Sequence, residues 1–332
     1  MLEKFLIVSL GSIGRRHLDN LRYLKPESKI GILHLNSKNQ AIPSGADYCF
    51  FDLNSAINFK PNAAIVCCPA SFHIEIAQLL IDNNIPTFIE KPISDKLEGL
   101  DRLLKKSSDS GILLSVGYNL EFLPSLIKTK SLLNSGLIGE IFVARVDVGQ
   151  YLPDWRPNIT YQNSVSAKKE LGGGVLLELS HEIDYIYSLF GVPDKVSASG
   201  GTFRFFDINV EDIISLNMTY KFPLRLVNIH LDFLQREPCR MCKFIGSEGT
   251  IIWNGLTNEI IINHSNTDKS KKLTNLDIPN KNYTYVRELE HFLSCVFEGT
   301  KPKVDAYRGR DVLFIIEAAK SSLRTGREVS LK

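Results

Sequence analysis

Two short segments, far apart in the chain, contain residues that could carry out chemistry together. Residues 9–14, Ser-Leu-Gly-Ser-Ile-Gly, follow an apolar run and precede a helical pattern, and Glu90-Lys91-Pro92 follows a later apolar run. Glycines in a strand-to-helix turn let a pyrophosphate approach the backbone, where the helix N-terminus supplies free N–H groups. A lysine at the end of a strand lies at the edge where open α/β sheets bind ligands. Together the two segments indicate redox chemistry on a small molecule.

The elements that must position these segments follow from the hydrophobic patterning. Apolar runs predict strands at residues 5–8, 29–35, 63–68, 87–89 and 113–116. Helical spacing predicts helices at 15–24, 74–81 and 96–107, with Ser71 as the N-cap of the second. This alternation is typical of βαβ units, and therefore of a mostly parallel sheet with right-handed crossovers.

The pattern changes after Tyr118 and Asn119. A linking helix is predicted at 124–134, a strand at 141–150, and a glycine-rich turn followed by a helix within 171–190. Strand-like runs follow at 203–207, 213–220, 224–234, 239–245, 250–253 and 259–262, then a polar loop at 263–282 and helices at 285–297 and 307–325. Consecutive strands joined by short turns favour an antiparallel sheet. We predict an α/β protein with two domains, residues 1–120 and 121–332.

Composition and charge exclude several classes of partner. The formal net charge is +2, so bulk electrostatics predict neither nucleic-acid nor membrane binding. The apolar runs are too short to span a membrane, and the N-terminus lacks the layout of a signal peptide. Six cysteines are scattered without a disulfide pattern, as expected of a cytoplasmic chain with reduced thiols.

The chain resembles the Gfo/Idh/MocA oxidoreductases over nearly its whole length. In chain order the motifs are Gly11-Ser12-Ile13-Gly14-Arg15-Arg16-His17, Pro69 with His73, Glu90-Lys91-Pro92, Gly117-Tyr118-Asn119, Gly139-Glu140-Ile141, Gly172-Gly173-Gly174, His181 with Asp184, and Gly246-Ser247-Glu248-Gly249-Thr250. The resemblance implies an N-terminal Rossmann domain with a parallel sheet and a C-terminal α/β domain with an open, mostly antiparallel sheet. That sheet often forms the oligomer interface, which implies a homodimer or homotetramer.

The middle of the chain carries a narrower resemblance. Residues 151–157, 164–167 and 171–184 look like members of the family from bacterial surface-glycan clusters. Those relatives accompany enzymes that make nonulosonic, sialic-acid-like sugars. This resemblance suggests a nucleotide-activated sugar or a nonulosonic acid as substrate.

The dinucleotide loop predicts where the cofactor binds. Gly11 and Gly14 should hold the pyrophosphate, and Ser9, in place of a first glycine, can make the turn if its backbone angles are ordinary. The turn after the second strand contains no carboxylate for a ribose 2′-hydroxyl, which favours NADP over NAD. The full set of expected cofactor contacts is Ser9, Gly11, Ser12, Ile13, Gly14, Asn36, Ser37, Lys38, Cys68, Pro69, His73, Glu90, Lys91 and Asn119. For His73, capping or packing on its loop is an equally open alternative.

Lys91 and His181 are the expected proton-transfer groups. A lysine beside a cationic nicotinamide can exchange a proton with a substrate oxygen, and imidazole titrates nearest to neutral pH. Relatives usually place an aspartate four residues before this histidine, where this chain has Leu177, so either Glu178 or Asp184 supports His181. We expect Tyr118, Trp155 and Arg156, together with Lys91 and His181, to bind the substrate, since aromatic rings stack on sugars and guanidinium binds acidic groups.

The favoured function is an NAD(P)-dependent sugar dehydrogenase or ketosugar reductase. Two alternatives remain open: a non-catalytic protein that binds dinucleotide or sugar and regulates a partner, and a redox-neutral epimerase or glycosidase of the same superfamily. No metal site is expected, because Cys239 and Cys242 lie three apart on a predicted strand and so point to opposite faces.

Overall fold

The computed structural model describes residues 2–35, 41–156, 159–265, 270–274 and 278–331. It divides into two compact units, one of Met1–Asn119 with Asn282–Leu313 and the other of Leu120–Lys281 with Phe314–Lys332. A single division at residue 120 would place 282–313 in the second unit, whereas the structure assigns this segment to the first.

The helices and strands of the described residues are numbered in chain order. The strands are β1 Lys4–Val8, β2 Lys29–Leu33, β3 Tyr48–Phe50, β4 Ala63–Val66, β5 Thr87–Glu90, β6 Leu114–Gly117, β7 Ile141–Gly149, β8 Lys195–Gly201, β9 Ile213–Lys221, β10 Leu224–Asp232, β11 Cys239–Gly246, β12 Gly249–Asn254, β13 Glu259–His264, β14 Lys271–Leu273 and β15 Val329–Ser330. The α-helices are α1 Ser12–Leu24, α2 Leu53–Asn58, α3 His73–Asp82, α4 Leu100–Ser110, α5 Pro124–Asn134, α6 Val175–Glu178, α7 His181–Phe190, α8 Tyr283–Glu298 and α9 Ala306–Thr325. None of these helices has both the length and the apolar character needed to cross a membrane.

The first unit is built on a six-stranded sheet in the order β3-β2-β1-β4-β5-β6, with every pairing parallel. Its inner strands are buried almost throughout, because helices cover both faces of such a sheet. Leu289 and Phe292 of α8 join the same apolar core as Leu18 and Leu21 of α1. This shared core explains why residues 282–313 belong to the first unit.

The second unit contains a nine-stranded sheet in the order β14-β13-β12-β11-β7-β10-β9-β8-β15. The pairing of β7 with β10 is parallel and the other pairings are antiparallel. Burial alternates along β9 and β10, so one face packs inward and the other is open. The two sheets confirm the predicted fold class.

Several local predictions were wrong, each because side-chain or backbone contacts override the pattern. Residues 203–207 form bends rather than a strand, because the Phe203 N–H donates to the Asp212 carboxylate instead of to a neighbouring strand. The residue before α3 is Phe72 rather than Ser71, and no side chain caps that helix. The expected polar loop at 263–282 contains the short edge strand β14.

Asp47 supplies an electrostatic anchor for the first unit. Its carboxylate accepts hydrogen bonds from the Ile30 N–H (2.9 Å), Arg22 Nη2 (2.7 Å) and Lys29 Nζ (3.0 Å). Burial alone would raise the pKa of Asp47, but these three donors lower it below its ordinary value of 3.8. A carboxylate with a depressed pKa stabilises the fold above its unfolded pKa, and this contribution is lost as pH falls through the folded value.

We therefore expect Asp47→Asn to lower the free energy of unfolding at pH 7 by about 1–3 kcal/mol, because the charged hydrogen bonds are lost. The difference from wild type should begin to shrink as the pH falls below about 4, where the unfolded carboxylate is protonated, and should be lost as the pH passes through the lower pKa of the folded carboxylate. Urea unfolding at several pH values measures both effects. Asp19→Asn, which changes an exposed carboxylate on α1, is the control. An equal difference at pH 3 and pH 7 would contradict the electrostatic explanation.

Candidate dinucleotide and catalytic site

The turn between β1 and α1 has the geometry of a phosphate-binding turn. A Cβ at Gly14 would lie 2.3 Å from the Ser9 carbonyl oxygen, so only glycine lets α1 approach the turn this closely. A Cβ at Gly11 would meet nothing within 4 Å. Gly11 is the N-cap of α1, and no side chain caps this helix; Ser12 and Ile13 begin its first turn. The first N–H groups of the helix are therefore available for an anion.

Ser9 departs from the expected conformation. Its φ is +72°, in the left-handed region, and its N–H donates to the Leu33 carbonyl oxygen at 2.8 Å. The condition of ordinary backbone angles is therefore not met. A non-glycine residue in this region carries strain, which the surrounding turn has to hold.

A cleft of about 720 Å³ lies over this turn at the carboxyl edge of the first sheet. Its walls come from the turn itself, from the residues after β2, from α2, and from the segment after β4 with the helix α3 that follows it. Representative lining residues are Ser9, Gly11, His34, Leu53, Pro69 and Phe72. β1 is where the chain order of the sheet reverses, and such a switch point is where α/β sheets bind their ligands. The volume, the open space at Gly11 and the uncapped helix fit a dinucleotide.

The expected ribose contacts Asn36, Ser37 and Lys38 lie outside the described residues. The nearest carboxylates that follow are already engaged: Asp47 as described above, and Asp52 by the N–H and hydroxyl of Ser55. Burial lowers the pKa of His34, which precedes the expected ribose contacts.

The segment after β4 contributes three of the expected residues. Pro69 lines the cleft, and Cys68 is buried, with its pKa raised to about 12 by burial. His73 begins α3 at 1% exposure, with Nδ1 3.0 Å from the Pro92 carbonyl oxygen and Nε2 2.8 Å from the Cys68 carbonyl oxygen. Its ring nitrogens are thus used within the protein, which favours the packing alternative for His73.

Lys91 directly follows β5 and is partly buried. Glu90 is buried, and its carboxylate lies 2.6 Å from His17 Nε2 of α1 and accepts a hydrogen bond from the Lys91 N–H at 3.1 Å. The sequence did not indicate His17 as a partner of Glu90, because 73 residues separate them.

Tyr118 and Asn119 end the first stretch of this unit. Tyr118 is fully buried, and Asn119 donates through Nδ2 to the Thr284 hydroxyl at 2.7 Å. Thr284 lies in α8, so this contact also connects residues 282–313 to the rest of the first unit. Their expected contacts with cofactor and substrate stay predictions.

His181 is the first residue of α7 in the second unit. The glycine turn before it is tightly packed: a Cβ at Gly173 would lie 2.4 Å from the Val165 carbonyl oxygen, and Gly174 has φ +107°. The predicted single helix is broken into α6 and α7 between these glycines and Phe190. Glu178 ends α6, and Asp184 is buried within α7. Which of the two carboxylates supports His181 stays open.

A partly buried ion pair that includes the residue after His181 was missed by the sequence analysis. Glu182 is fully buried, and its Oε1 accepts a hydrogen bond from Arg240 Nε at 2.9 Å. Arg240 lies on β11, so the pair ties the first turn of α7 to the sheet. The position of Glu182, next to a candidate histidine, could have marked it as a functional residue. Its partner Arg240 could not be identified from the sequence, because 58 residues separate the two.

Trp155 and Arg156 follow a short 3₁₀ turn at Leu152–Asp154, and both are partly buried. The Trp155 indole N–H donates to the Gln150 carbonyl oxygen at 3.2 Å, and its ring meets Phe233 edge to face. These contacts fix the orientation of the indole. The contribution of Trp155 and Arg156 to sugar binding stays a prediction.

Asp147, His230 and Asp232 form the group within the described residues whose ligand atoms could surround a metal ion, all lying within 4.8 Å. Gln235 Nε2 donates to both carboxylates, at 3.1 Å to Asp147 and 2.7 Å to Asp232. His230 Nε2 lies 3.2 Å from Asp232. Protein donors therefore already contact both carboxylates, and the group carries no metal assignment.

Comparison with protein families agrees with this geometry. Residues 4–118 match the family described as "Oxidoreductase family, NAD-binding Rossmann fold", and residues 126–252 match the "GFO/IDH/MocA C-terminal domain". The two matches cover both halves of the chain in the order that the resemblance implied.

Individual proteins show the same similarity at low identity. The chain is 23% identical to myo-inositol 2-dehydrogenase of Thermotoga maritima, over 98% of each chain. It is 24% identical to scyllo-inositol 2-dehydrogenase (NADP⁺) of Bacillus subtilis, over 81% of this chain and 78% of that one. A solved levoglucosan dehydrogenase in complex with NADH and levoglucosan superposes with a TM-score of 0.86 at 18% identity, covering 100% of both chains. This last likeness concerns the fold.

The two glycines of the turn should separate folding from ligand binding. Gly14→Ala forces a methyl group against the Ser9 carbonyl, so we expect the free energy of unfolding to fall by about 1–3 kcal/mol. Gly11→Ala meets open space at an extended backbone and should fold like wild type. Its methyl group lies where phosphate should pack, so we expect about a tenfold weaker dinucleotide affinity, equivalent to about 1.4 kcal/mol.

Chemical unfolding and fluorescence titration with reduced dinucleotide measure the two effects. Wild-type stability of Gly14→Ala would contradict the close approach of α1. Unchanged affinity of Gly11→Ala would show that the pyrophosphate does not pack on this turn.

Proposed function

Because the chain belongs to the Gfo/Idh/MocA oxidoreductase family, we propose that it transfers hydride between a nicotinamide dinucleotide and a hydroxyl or keto group of a sugar. The observation that carries the proposal lies within the first unit. An uncapped glycine turn faces a cleft of about 720 Å³, and Lys91 directly follows a strand of the same parallel sheet. This combination supplies both a dinucleotide site and a proton-exchanging cation.

We infer the following roles for the chain's own residues. The dinucleotide, when bound, supplies or accepts the hydride. His181 accepts the proton of the substrate hydroxyl during oxidation, and Lys91 stabilises the negative charge that develops on that oxygen. In the direction of reduction the same groups return the proton. Glu178 or Asp184 orients His181, and Trp155 and Arg156 hold the sugar.

NADP is the inferred cofactor. No carboxylate occurs from His34 through Ala46, the stretch after β2 where an NAD-specific acid would lie. Asp47 and Asp52, the next acids, are held by hydrogen bonds within the protein. Ser37 and Lys38 then supply a hydroxyl and a cation for a 2′-phosphate.

The substrate class follows from the relatives and from the chain's polar residues. The two inositol dehydrogenases are named for cyclic polyols, and the solved relative holds an anhydrosugar. Arg156 adds a cation that suits an acidic sugar, such as a nonulosonic acid or a nucleotide-linked sugar. We also infer a homodimer or homotetramer through the open sheet face, where Leu226 and Met241 are exposed on β10 and β11, the two strands that flank β7.

The cofactor is tested by thermal unfolding with NADPH or NADH over a range of concentrations. A ligand that binds the folded state at a hundredfold excess over Kd adds about 2.7 kcal/mol of stability. We expect the larger shift with NADPH, and Lys38→Ala should reduce that preference by about tenfold, since one charged phosphate contact is worth about 1.5–3 kcal/mol. Lys60→Ala, at an exposed lysine between the end of α2 and the start of β4, is the matched control. A larger shift with NADH would overturn the NADP inference.

The proton-transfer roles are tested by Lys91→Ala and His181→Ala. Substrates to screen are myo-inositol, levoglucosan, N-acetylneuraminic acid and a UDP-linked uronic acid. At saturating dinucleotide, loss of a general acid or base should lower kcat/KM for the sugar by about 10²–10⁴-fold. Dinucleotide affinity should be unchanged in His181→Ala, whereas Lys91 is itself an expected cofactor contact. The exposed Lys96, paired with Glu98, and the partly buried His264 provide the controls Lys96→Ala and His264→Asn.

The outcomes separate the alternatives. Turnover that persists in Lys91→Ala and His181→Ala would refute the catalytic assignment. Product formation without net change in the dinucleotide's redox state would indicate an epimerase or a glycosidase. Dinucleotide binding without turnover of any screened sugar would favour the regulatory alternative.

A further inference from the structure

The backbone around Lys91 is held on both sides by buried polar side chains. We propose that His73 and the His17–Glu90 pair are positioning residues, which fix the Glu90-Lys91-Pro92 backbone so that the Lys91 ammonium is presented at one place. The proposal rests on the catalytic role of Lys91 stated above. It assigns functions to two histidines and one carboxylate that the hydride-transfer scheme does not use.

Glu90 holds the N-terminal side of Lys91. The residue is 7% exposed, and its side chain turns back along the chain, so that Oε2 accepts the hydrogen bond from the Lys91 N–H. Its other oxygen, Oε1, lies 2.6 Å from Nε2 of His17, which is fully buried on α1. The His17 ring also meets Phe88 edge to face, so its own orientation is set by packing. Glu90 therefore connects the Lys91 backbone to a rigid helix.

His73 holds the C-terminal side. Its Nδ1 faces the Pro92 carbonyl oxygen at 3.0 Å, and its Nε2 faces the Cys68 carbonyl oxygen at 2.8 Å. The ring thus bridges the segment after β5 to the segment after β4. Carbonyl oxygens only accept, so the ring donates to both when it carries two protons, and to one when it is neutral. Burial lowers the pKa of His73, and the carbonyl contacts and the Glu90 charge oppose this only in part, so the neutral ring donates to one of the two carbonyls.

The lysine side chain itself explains why positioning residues are needed. Its flexible four-carbon stem has about 2 kcal/mol of rotamer entropy, so the place of its ammonium depends on how firmly the backbone below it is held. A displacement of about 1 Å in a reacting group can cost about 10²-fold in rate. Buried residues that hold the backbone on either side of Lys91 can therefore control turnover without contacting the substrate.

The first experiment measures how firmly the Lys91 backbone is held. It needs no turnover and uses the cofactor-free protein. The hydrogen-exchange rate of the Lys91 amide reports its bond to Glu90. We expect His17→Leu to raise this rate at least about tenfold, because the carboxylate loses its anchor. His17→Gln should restore protection, since its amide N–H can still donate to Glu90. Asn20→Ala is the matched control, because Asn20 lies on the same helix as His17 and the substitution removes a partly buried hydrogen bond to Asn282.

The second experiment uses kinetics at saturating dinucleotide. We expect His73→Leu and His17→Leu to lower kcat by about 10–100-fold, with dinucleotide Kd and substrate KM within about threefold of wild type. In a Lys91→Ala background, the same substitutions should have no further effect on kcat, because they act through the lysine. Asn20→Ala should leave kcat within about twofold in both backgrounds.

Each outcome decides between the proposals. If His73→Leu lowers kcat equally in the wild-type and Lys91→Ala backgrounds, His73 acts on the fold rather than through the lysine. Its positioning role is then refuted. Unchanged Lys91 amide exchange in His17→Leu would refute the Glu90 connection. Wild-type turnover of Lys91→Ala would instead refute the proposed role of Lys91. The exchange experiment would still decide whether Glu90 and His17 hold the Lys91 backbone.

Discussion

The close approach of α1 to the turn after β1 is the contact on which most of the first unit depends. At Gly14 the helix lies directly against the Ser9 carbonyl, and a single methyl group would not fit. This approach aims the uncapped start of α1 at the cleft and places Leu18 and Leu21 in the shared core. It also brings His17 within hydrogen-bond distance of Glu90. One steric constraint thereby sets the dinucleotide turn, the core and the support of Lys91.

The second unit positions its candidate histidine by a different means. Glu211 is partly buried, and it accepts a hydrogen bond from the Leu176 N–H at 3.2 Å. A Cβ at Gly174 would lie 2.5 Å from its carboxylate. Burial raises the pKa of Glu211, and backbone N–H groups oppose that rise. The glycine turn is thus held between backbone carbonyls and a carboxylate, and His181 follows it as the start of α7.

Local pattern and tertiary contact contributed differently to the two units. Strands in the first unit are continuous apolar runs, and the long helices α1, α3 and α8 have strong amphipathic spacing, so their existence was predictable. β3 and α2 were missed because they are only 3 and 6 residues long and carry little pattern. The run at 203–207 is apolar enough for a strand, yet Phe203 and Phe205 are 66% and 63% exposed, and the backbone bonds to Asp212 instead.

By itself, the sequence determined the βαβ alternation, the glycine turn, Lys91 at a strand end and the order of the two sheets. These features depend on residues close together in the chain, through the period of the hydrophobic pattern and the conformational freedom of glycine. Only the tertiary structure decided that Ser9 adopts a left-handed backbone, that Glu90 meets His17, that Arg240 pairs with Glu182, and that residues 282–313 return to the first unit. Each of these depends on groups distant in the chain, whose approach is set by how helices and sheets pack.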